Sequence, residues 1–305
     1  MKQKARVILS GGAALGLAHI GVIKVLETRY DITGIVGTSM GAIVGGLYAA
    51  GYTPDELLEI ATKNNAKRLF NPFYLDRTLS GIFDGKMITN LFESWTKDVL
   101  IENCKIPFNA ISYDLVKRNT VVIGKGSLAK AMRASSSIPY LFSPYQWGKY
   151  ALVDGGVEYP LPLGLGKTVR GEITIAVNVL PSKSLEPERM DLLSVEDEKN
   201  KMKLHEVFLR CIIQNQAYMA LHAIADAKPD IVIDAWYPQG NVYGFDDAES
   251  FYRWGIGKAE ETILGSEQPN YTETIRKEYR NIVAKLGKGL HKIAFNLEEY
   301  VNVNR

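Results

Sequence analysis

The chain has 305 residues, 46% of them hydrophobic and 23% charged, which is enough apolar material for a sizeable core and too mixed a composition for a disordered or fibrous chain. Its 36 basic and 34 acidic residues leave a formal charge of +2, which excludes a global field able to hold nucleic acid and leaves any membrane or anion contact to local patches. Cys104 and Cys211 stand apart from any Cys/His cluster, so neither a disulfide framework nor a structural zinc site is predicted, and the reading is two buried, reduced thiols in a cytoplasmic protein.

The first residues are basic, but the apolar run behind them, Val7-Ile8-Leu9, is too short for a signal peptide. Ala5 to Leu9 reads as a strand, Ser10 to Gly16 as a glycine-rich turn, and Leu17 to Glu27 as an amphipathic helix with Ile20, Ile23, Val25 and Leu26 toward a core. From Ile32 to Pro54 there are 23 consecutive uncharged residues, long enough on composition to cross a bilayer. Six glycines in that window argue against one helix, since each costs about 1 kcal/mol in a helix interior. A short buried strand over Ile32 to Val36, a sharp turn Gly37-Thr38-Ser39-Met40-Gly41 and a helix from Ala42 to Ala50 explain it better. Gly51 then serves as C-cap, and Thr53-Pro54-Asp55-Glu56 opens the next helix.

Further strands are predicted at Phe108 to Ser112, Thr120 to Ile123, Ala151 to Asp154, Glu172 to Val179 and Asp230 to Asp234. Helices are predicted near Leu57 to Lys67, Gly85 to Trp95, Ser127 to Ser136, Lys201 to Asp226, Asp247 to Leu264 and Tyr271 to Leu286. The pattern is α/β: a three-layer α/β/α arrangement, a mostly parallel sheet with helices on both faces. Residues 1–265 read as one domain with a charged excursion at about 182–200, and 266–305 as a C-terminal helical extension that packs on it or flanks it.

A serine in G-x-S-x-G between a strand and a helix is exposed above the sheet edge, where the following helix offers N–H groups to developing negative charge. That makes Ser39 a candidate nucleophile, with Gly37, Met40 and Gly41 as its elbow. The turn Gly11-Gly12-Ala13, at the end of a strand predicted to be adjacent, can supply further donors. A dinucleotide fingerprint would need glycine where Ala13 stands, and a P-loop would need G-K-[ST] after Gly16, so nucleotide binding is not favoured. Of the four histidines, His19, His205, His222 and His291, only His291 stands late enough for the base of an ordinary triad, and it reads as a surface residue; His19 reads as a packed or hydrogen-bonded structural residue rather than a base. Asp154, in Ala151-Leu152-Val153-Asp154-Gly155-Gly156, ends an apolar strand at a glycine turn, where burial would raise its pKa toward that of a general base. An Asx-type turn aspartate is the competing reading at that position.

Leu9-Ser10-Gly11-Gly12-Ala13-Ala14-Leu15-Gly16-Leu17-Ala18-His19-Ile20-Gly21-Val22, Gly37-Thr38-Ser39-Met40-Gly41, Arg133-Ala134-Ser135-Ser136-Ser137-Ile138-Pro139 and Asp154-Gly155-Gly156 resemble the successive blocks of the patatin-like phospholipases over about the first 165 residues. The resemblance implies hydrolysis of lipid acyl esters by a serine–aspartate dyad, with Ser39 as nucleophile, Asp154 as base, the Gly11-Gly12-Ala13 turn as oxyanion hole, and neither metal nor cofactor. Ala13 stands where the family usually has a third glycine, Leu15 where it has a cation, and Glu158-Tyr159-Pro160 where an asparagine often precedes the proline. Ala13 and Leu15 motivate an alternative, a weak or inactive lipid-binding or interaction protein on the same fold. The partner is a lipid or acyl-ester substrate, with peripheral membrane contact as an option. Asn71-Pro72-Phe73-Tyr74-Leu75 with Ile82-Phe83, and the basic stretch Arg276 to Lys292, are the surfaces considered for that contact. The stripe Leu204, Val207, Phe208, Cys211, Ile212, Tyr218 and Met219 is predicted to face the core or an acyl pocket.

Overall fold

Side chains alternate across a strand, and the first strand, β1 (Gln3–Leu9), has apolar residues on both of its faces near its end: Val7 and Leu9 pack into one core while Ile8 packs into another. A strand apolar on both sides must lie inside a sheet covered twice. The computed structural model, which describes residues 1–63, 81–83, 85–181, 204–267, 273–274 and 277–285, has that arrangement. Strands β2 (Tyr30–Thr38), β3 (Phe108–Asp114), β7 (Ile173–Asn178) and β8 (Ile231–Asp234) run parallel to β1, in the order β3-β2-β1-β7-β8. Three antiparallel strands complete a mixed sheet: β4 (Asn119–Ile123) and β6 (Tyr150–Asp154) pair with β3, and β5 (Tyr145–Trp147) pairs with β6 at the edge.

The larger core covers one face, under α1 (Ala18–Arg29), α2 (Met40–Ala50), α3 (Pro54–Lys63), α4 (Lys86–Thr96), α5 (Leu128–Ser135) and α7 (Ala248–Ser266). The smaller core covers the other, under the long helix α6 (Leu204–Ala227). The uncharged window from Ile32 to Pro54 is therefore β2, the turn at Ser39, α2 and Gly51, which caps α2 at a φ of 111°. Among the described residues no helix is long and apolar enough to cross a membrane.

Three expectations need correction. Neither cysteine is a buried thiol: Cys104 is part-buried and Cys211 is exposed. The edge strand β5 does not stand among the predicted elements; three residues are too few for an alternating pattern to register. The apolar stripe assigned to α6 is also turned: Leu204 and Val207 are exposed, as are Cys211 and Tyr218. Leu209, Ile213, Ala217, Ala220, Leu221 and Ile224 form the buried face instead, at the three- and four-residue steps of a helix stripe. The expectations for 71–75, 182–200 and His291, and for the side chain of His205, lie outside the described residues, as does most of the stretch 276–292.

Candidate active site

β1 and β2 are hydrogen-bonded neighbours, with Leu9 opposite Gly37, so the two glycine-bearing turns that follow them emerge side by side at the C-terminal edge of the sheet. Ser39 sits in the second turn with φ 55° and ψ −121°, a strained conformation for a residue with a side chain. The strain is fixed by neighbours on both sides. A Cβ at Gly37 would come within 2.4 Å of the Gly41 carbonyl oxygen, and one at Gly41 within 2.5 Å of the Ser10 carbonyl oxygen. Only glycine lets these backbones approach so closely, which is the physical content of the G-x-S-x-G spacing.

Ser39 is held from the α5 side as well. Its N–H donates to Ser135 Oγ at 2.9 Å, and Ser135 in turn donates to the Ile111 carbonyl at 2.5 Å. Asp154 ends β6 opposite Ser112 of β3, and its own N–H donates to the Ser137 carbonyl at 2.9 Å. The block Arg133 to Pro139 thus positions both Ser39 and Asp154, a role that sequence reasoning did not assign to Ser135 or Ser137. Runs of serine at a helix end are a signal of this kind, because each hydroxyl can bridge two backbones.

The Asp154 carboxylate accepts a hydrogen bond from the Ser39 side chain and one from the Gly156 N–H at 2.7 Å. Burial pushes its pKa up to about 6, against these two hydrogen bonds, which hold it down. The competing Asx-turn reading is therefore also physically present, since the Gly156 bond closes such a turn. A carboxylate has lone pairs enough to accept both hydrogen bonds, so the two roles do not conflict. From α6, the buried Gln216 amide packs on this turn, its nitrogen 2.2 Å from where a Cβ at Gly156 would stand.

In the first turn the three residues behave differently. Gly11 faces Ser39, with the Ser39 Cβ 3.3 Å from where its own Cβ would be, but its N–H donates to the Pro160 carbonyl at 2.8 Å. The expectation that Gly11 offers an oxyanion donor is corrected accordingly. The N–H groups of Gly12, Ala13 and Met40 have no hydrogen-bond partner among the described residues. Ala13 adopts φ 50°, a left-handed conformation that costs a residue with a Cβ about 1 kcal/mol or more. Leu15 is buried in the core, so no cation stands at that position.

His19 is fully buried and, as the neutral ring, donates from Nε2 to the Ser10 carbonyl at 2.8 Å. Burial lowers its pKa to about 4, so it ties the first turn to α1 without acting as a base. His222 lies on α6 with its ring centroid 4.5 Å from that of Tyr218. Ile82 and Phe83 pair with the chain at Tyr140 to Phe142 and pack against the core, Phe83 with its centroid 6.1 Å from that of Phe142. Among the described residues no cluster of His, Cys, Asp or Glu has the make-up of a metal site.

Ser39 opens onto a cavity that is almost wholly apolar. Ala13, Met40, Ile43, Leu47, Phe92 and Leu141 are among its lining residues, and Ser39, Ser136 and Tyr243 are its polar ones.

A family profile described as patatin-like phospholipase matches residues 7–165, more than half of the chain. An uncharacterized NTE family protein of Mycobacterium tuberculosis is 38% identical over 180 residues, 58% of this chain and 49% of that protein. Patatin-like phospholipase domain-containing protein 7 of Mus musculus is 29% identical over 180 residues, 57% of this chain and 13% of that one. The match thus spans about half the length of the mycobacterial relative and a small part of the mouse one. Among solved structures, VipD from Legionella pneumophila aligns at 14% identity and a TM-score of 0.45, over 87% of this chain and 67% of that one. The type III effector ExoU aligns at 12% identity and a TM-score of 0.44, over 90% and 54%. With the glycine turn, the serine elbow and the aspartate turn all inside the matched residues, the chain belongs to the patatin-like phospholipase family.

Proposed function

We propose that the protein hydrolyses lipid acyl esters through a Ser39–Asp154 dyad. The observation that carries this reading is a serine in a strained elbow, hydrogen-bonded to a buried carboxylate and opening on an apolar cavity. Ser39 Oγ attacks the ester carbonyl as its proton passes to Asp154. The N–H groups of Gly12, Ala13 and Met40 hold the oxyanion, while Gly11 keeps its own N–H on Pro160 and admits the substrate by lacking a side chain. Protonated Asp154 gives its proton to the departing alkoxide, leaving an acyl group on Ser39. Asp154 then takes a proton from water, whose oxygen attacks the acyl carbonyl, and returns that proton to Ser39 Oγ as the fatty acid leaves, which restores both residues. The apolar cavity takes the acyl chain, and the head group stays on the solvent side. The substrate is a membrane lipid or a related acyl ester, met at the periphery of a membrane.

One observation favours a second reading, a lipid-binding protein with little turnover: Ala13 holds its left-handed conformation at a cost. A fluorophosphonate probe separates the two. Labelling of wild type and its loss in Ser39→Ala, together with a fall in kcat of about a thousandfold or more on a short-chain aryl ester in Ser39→Ala and Asp154→Asn, is the outcome expected of the hydrolase. A folded wild-type chain that neither labels nor turns over ester would leave the binding protein.

A further inference from the structure

The sheet edge that carries Ser39 also carries a second construction, outside the cavity and outside the dyad. β3 continues past the level of Thr38, which pairs with Ile111, to Asp114, roughly 10 Å further at 3.3 Å per residue. There it turns back into β4 through Leu115, Val116, Lys117 and Arg118. The β5–β6 hairpin turns at Gly148 and Lys149 beside it, because β6 pairs Leu152 with Asp114 and so sets Tyr150 next to this turn. Two hairpin tips therefore project together beyond the C-terminal edge of the sheet.

Leu115 and Val116 lie at the tip with 47% and 66% of their surface exposed. Their exposure is built in. The buried Asp114 carboxylate accepts N–H bonds from Val116 at 3.1 Å, from Lys117 at 3.3 Å and from Ala151 at 3.1 Å, and the Leu115 N–H donates to the Ala151 carbonyl at 3.0 Å. An Asp with three backbone donors leaves the turn no way to fold its apolar pair inward. The same two tips carry cations. Lys117 Nζ is 5.0 Å and Lys149 Nζ 5.9 Å from the centroid of the Tyr150 ring, and Arg118 follows Lys117 in the turn. Lys117, Arg118 and Lys149 form no ion pair with a described residue. The acids of this edge are engaged, Asp114 by backbone N–H groups and Glu158 by the Thr120 hydroxyl.

An exposed apolar pair with cations on the same two tips suits a surface that is apolar within and anionic at its rim. We propose that the two hairpin tips dock the protein on an anionic phospholipid bilayer. Leu115 and Val116 enter the acyl boundary, Lys117, Arg118 and Lys149 meet the lipid phosphates, and the Ser39 edge of the sheet is turned to the membrane. The lipid-hydrolase reading gives this docking its purpose, while the binding itself is measurable without turnover. An acidic protein partner would use the cations but has no need of the outward apolar pair.

The test is co-sedimentation of the full chain, as wild type and as Ser39→Ala, with vesicles of phosphatidylglycerol and phosphatidylcholine and with vesicles of phosphatidylcholine alone. Binding is expected to the anionic vesicles and to be much weaker on the neutral ones. Each cation at such a surface is worth about fivefold in partition, so Lys117→Ala, Arg118→Ala and Lys149→Ala together should weaken it by about 100-fold. Leu115→Ser with Val116→Ser should weaken it by roughly tenfold. Both variants should keep the short-chain ester turnover and melting temperature of the wild type, which separates lost docking from lost folding. Wild type that ignores anionic vesicles, or hairpin variants that bind them as tightly as wild type, would overturn the docking site. Either result leaves the dyad to be judged by its own labelling and turnover.

Discussion

At Asp154 stability and the proposed chemistry oppose each other. Its carboxyl titrates at about 6 in the fold against an ordinary 3.8, because burial penalises the charge more than the Ser39 and Gly156 hydrogen bonds repay it. The folded state therefore prefers the protonated acid. Stability that is fully present below the unfolded pKa is lost as pH rises through about 6, and the full cost, about 3 kcal/mol, is carried at about pH 8. As the base of the proposed dyad Asp154 must act in the opposite form, so kcat/KM on a soluble ester should rise through an acidic limb near 6 and then level off. Asp154→Asn removes the charge without removing the shape. It should raise the melting temperature by several degrees at about pH 8 and by little at about pH 4, while losing turnover at both. Melting curves at the two pH values check this; an equal effect at both would mean that Asp154 carries no buried charge. Much of this site was legible, since Ser39 and Asp154 each stand in a short local pattern whose glycines have a steric reason. Where sequence misled was Gly11. Its N–H is taken by Pro160, a partner distant along the chain that no local pattern announces. Ser135 was legible as part of a motif but not as the acceptor of the Ser39 N–H, for the same reason.

Helix α2 ties the elbow to the cavity. Ser39 is its N-cap, and Met40, Ile43, Val44 and Leu47 line the cavity from one side at steps of three and four. At 1.5 Å per residue Leu47 lies roughly 12 Å beyond Ser39, so it meets the far part of a bound acyl chain and not the ester. Leu47→Phe should then act as a chain-length filter. The kcat/KM for long-chain esters should fall by about tenfold, with butyrate changed less than about twofold, because one or two displaced methylenes are worth about 1 to 3 kcal/mol. A series of aryl esters of increasing chain length checks it, and a uniform fall across the series would put the acyl chain elsewhere. The parallel strands were legible at this scale because each is an apolar, β-branched run bounded by a turn. Two elements were less so. β5 has only three residues, and α6 carries exposed Leu204, Val207 and Tyr218 beside its buried face, so counting apolar residues rotates the helix. Its true face is set by the underside of the sheet, through Ile8, Val36, Ile111 and Val232, which only the assembled strands bring together.

At the scale of the whole molecule the near cancellation of 36 basic and 34 acidic residues takes on a sharper meaning. With no net field, nothing steers a soluble substrate to Ser39, and electrostatics should enter only where the tip cations Lys117, Arg118 and Lys149 meet a charged surface. The two situations respond differently to salt. Raising ionic strength from about 10 mM to about 150 mM shortens the screening length from about 30 Å to about 8 Å, which removes long-range attraction and leaves contacts inside the cavity untouched. Turnover of a short neutral ester should therefore change by less than about twofold over that range. Binding to phosphatidylglycerol vesicles should fall by about tenfold or more over the same range, and the hydrolysis of lipid in those vesicles should fall with it. In the triple cation variant, vesicle binding should have lost most of this salt dependence while the soluble assay is unchanged. Parallel titrations of the two assays provide the measurement. A soluble assay that falls as steeply as the vesicle assay would place a charged group inside the substrate path, contrary to an apolar cavity whose polar lining is Ser39, Ser136 and Tyr243.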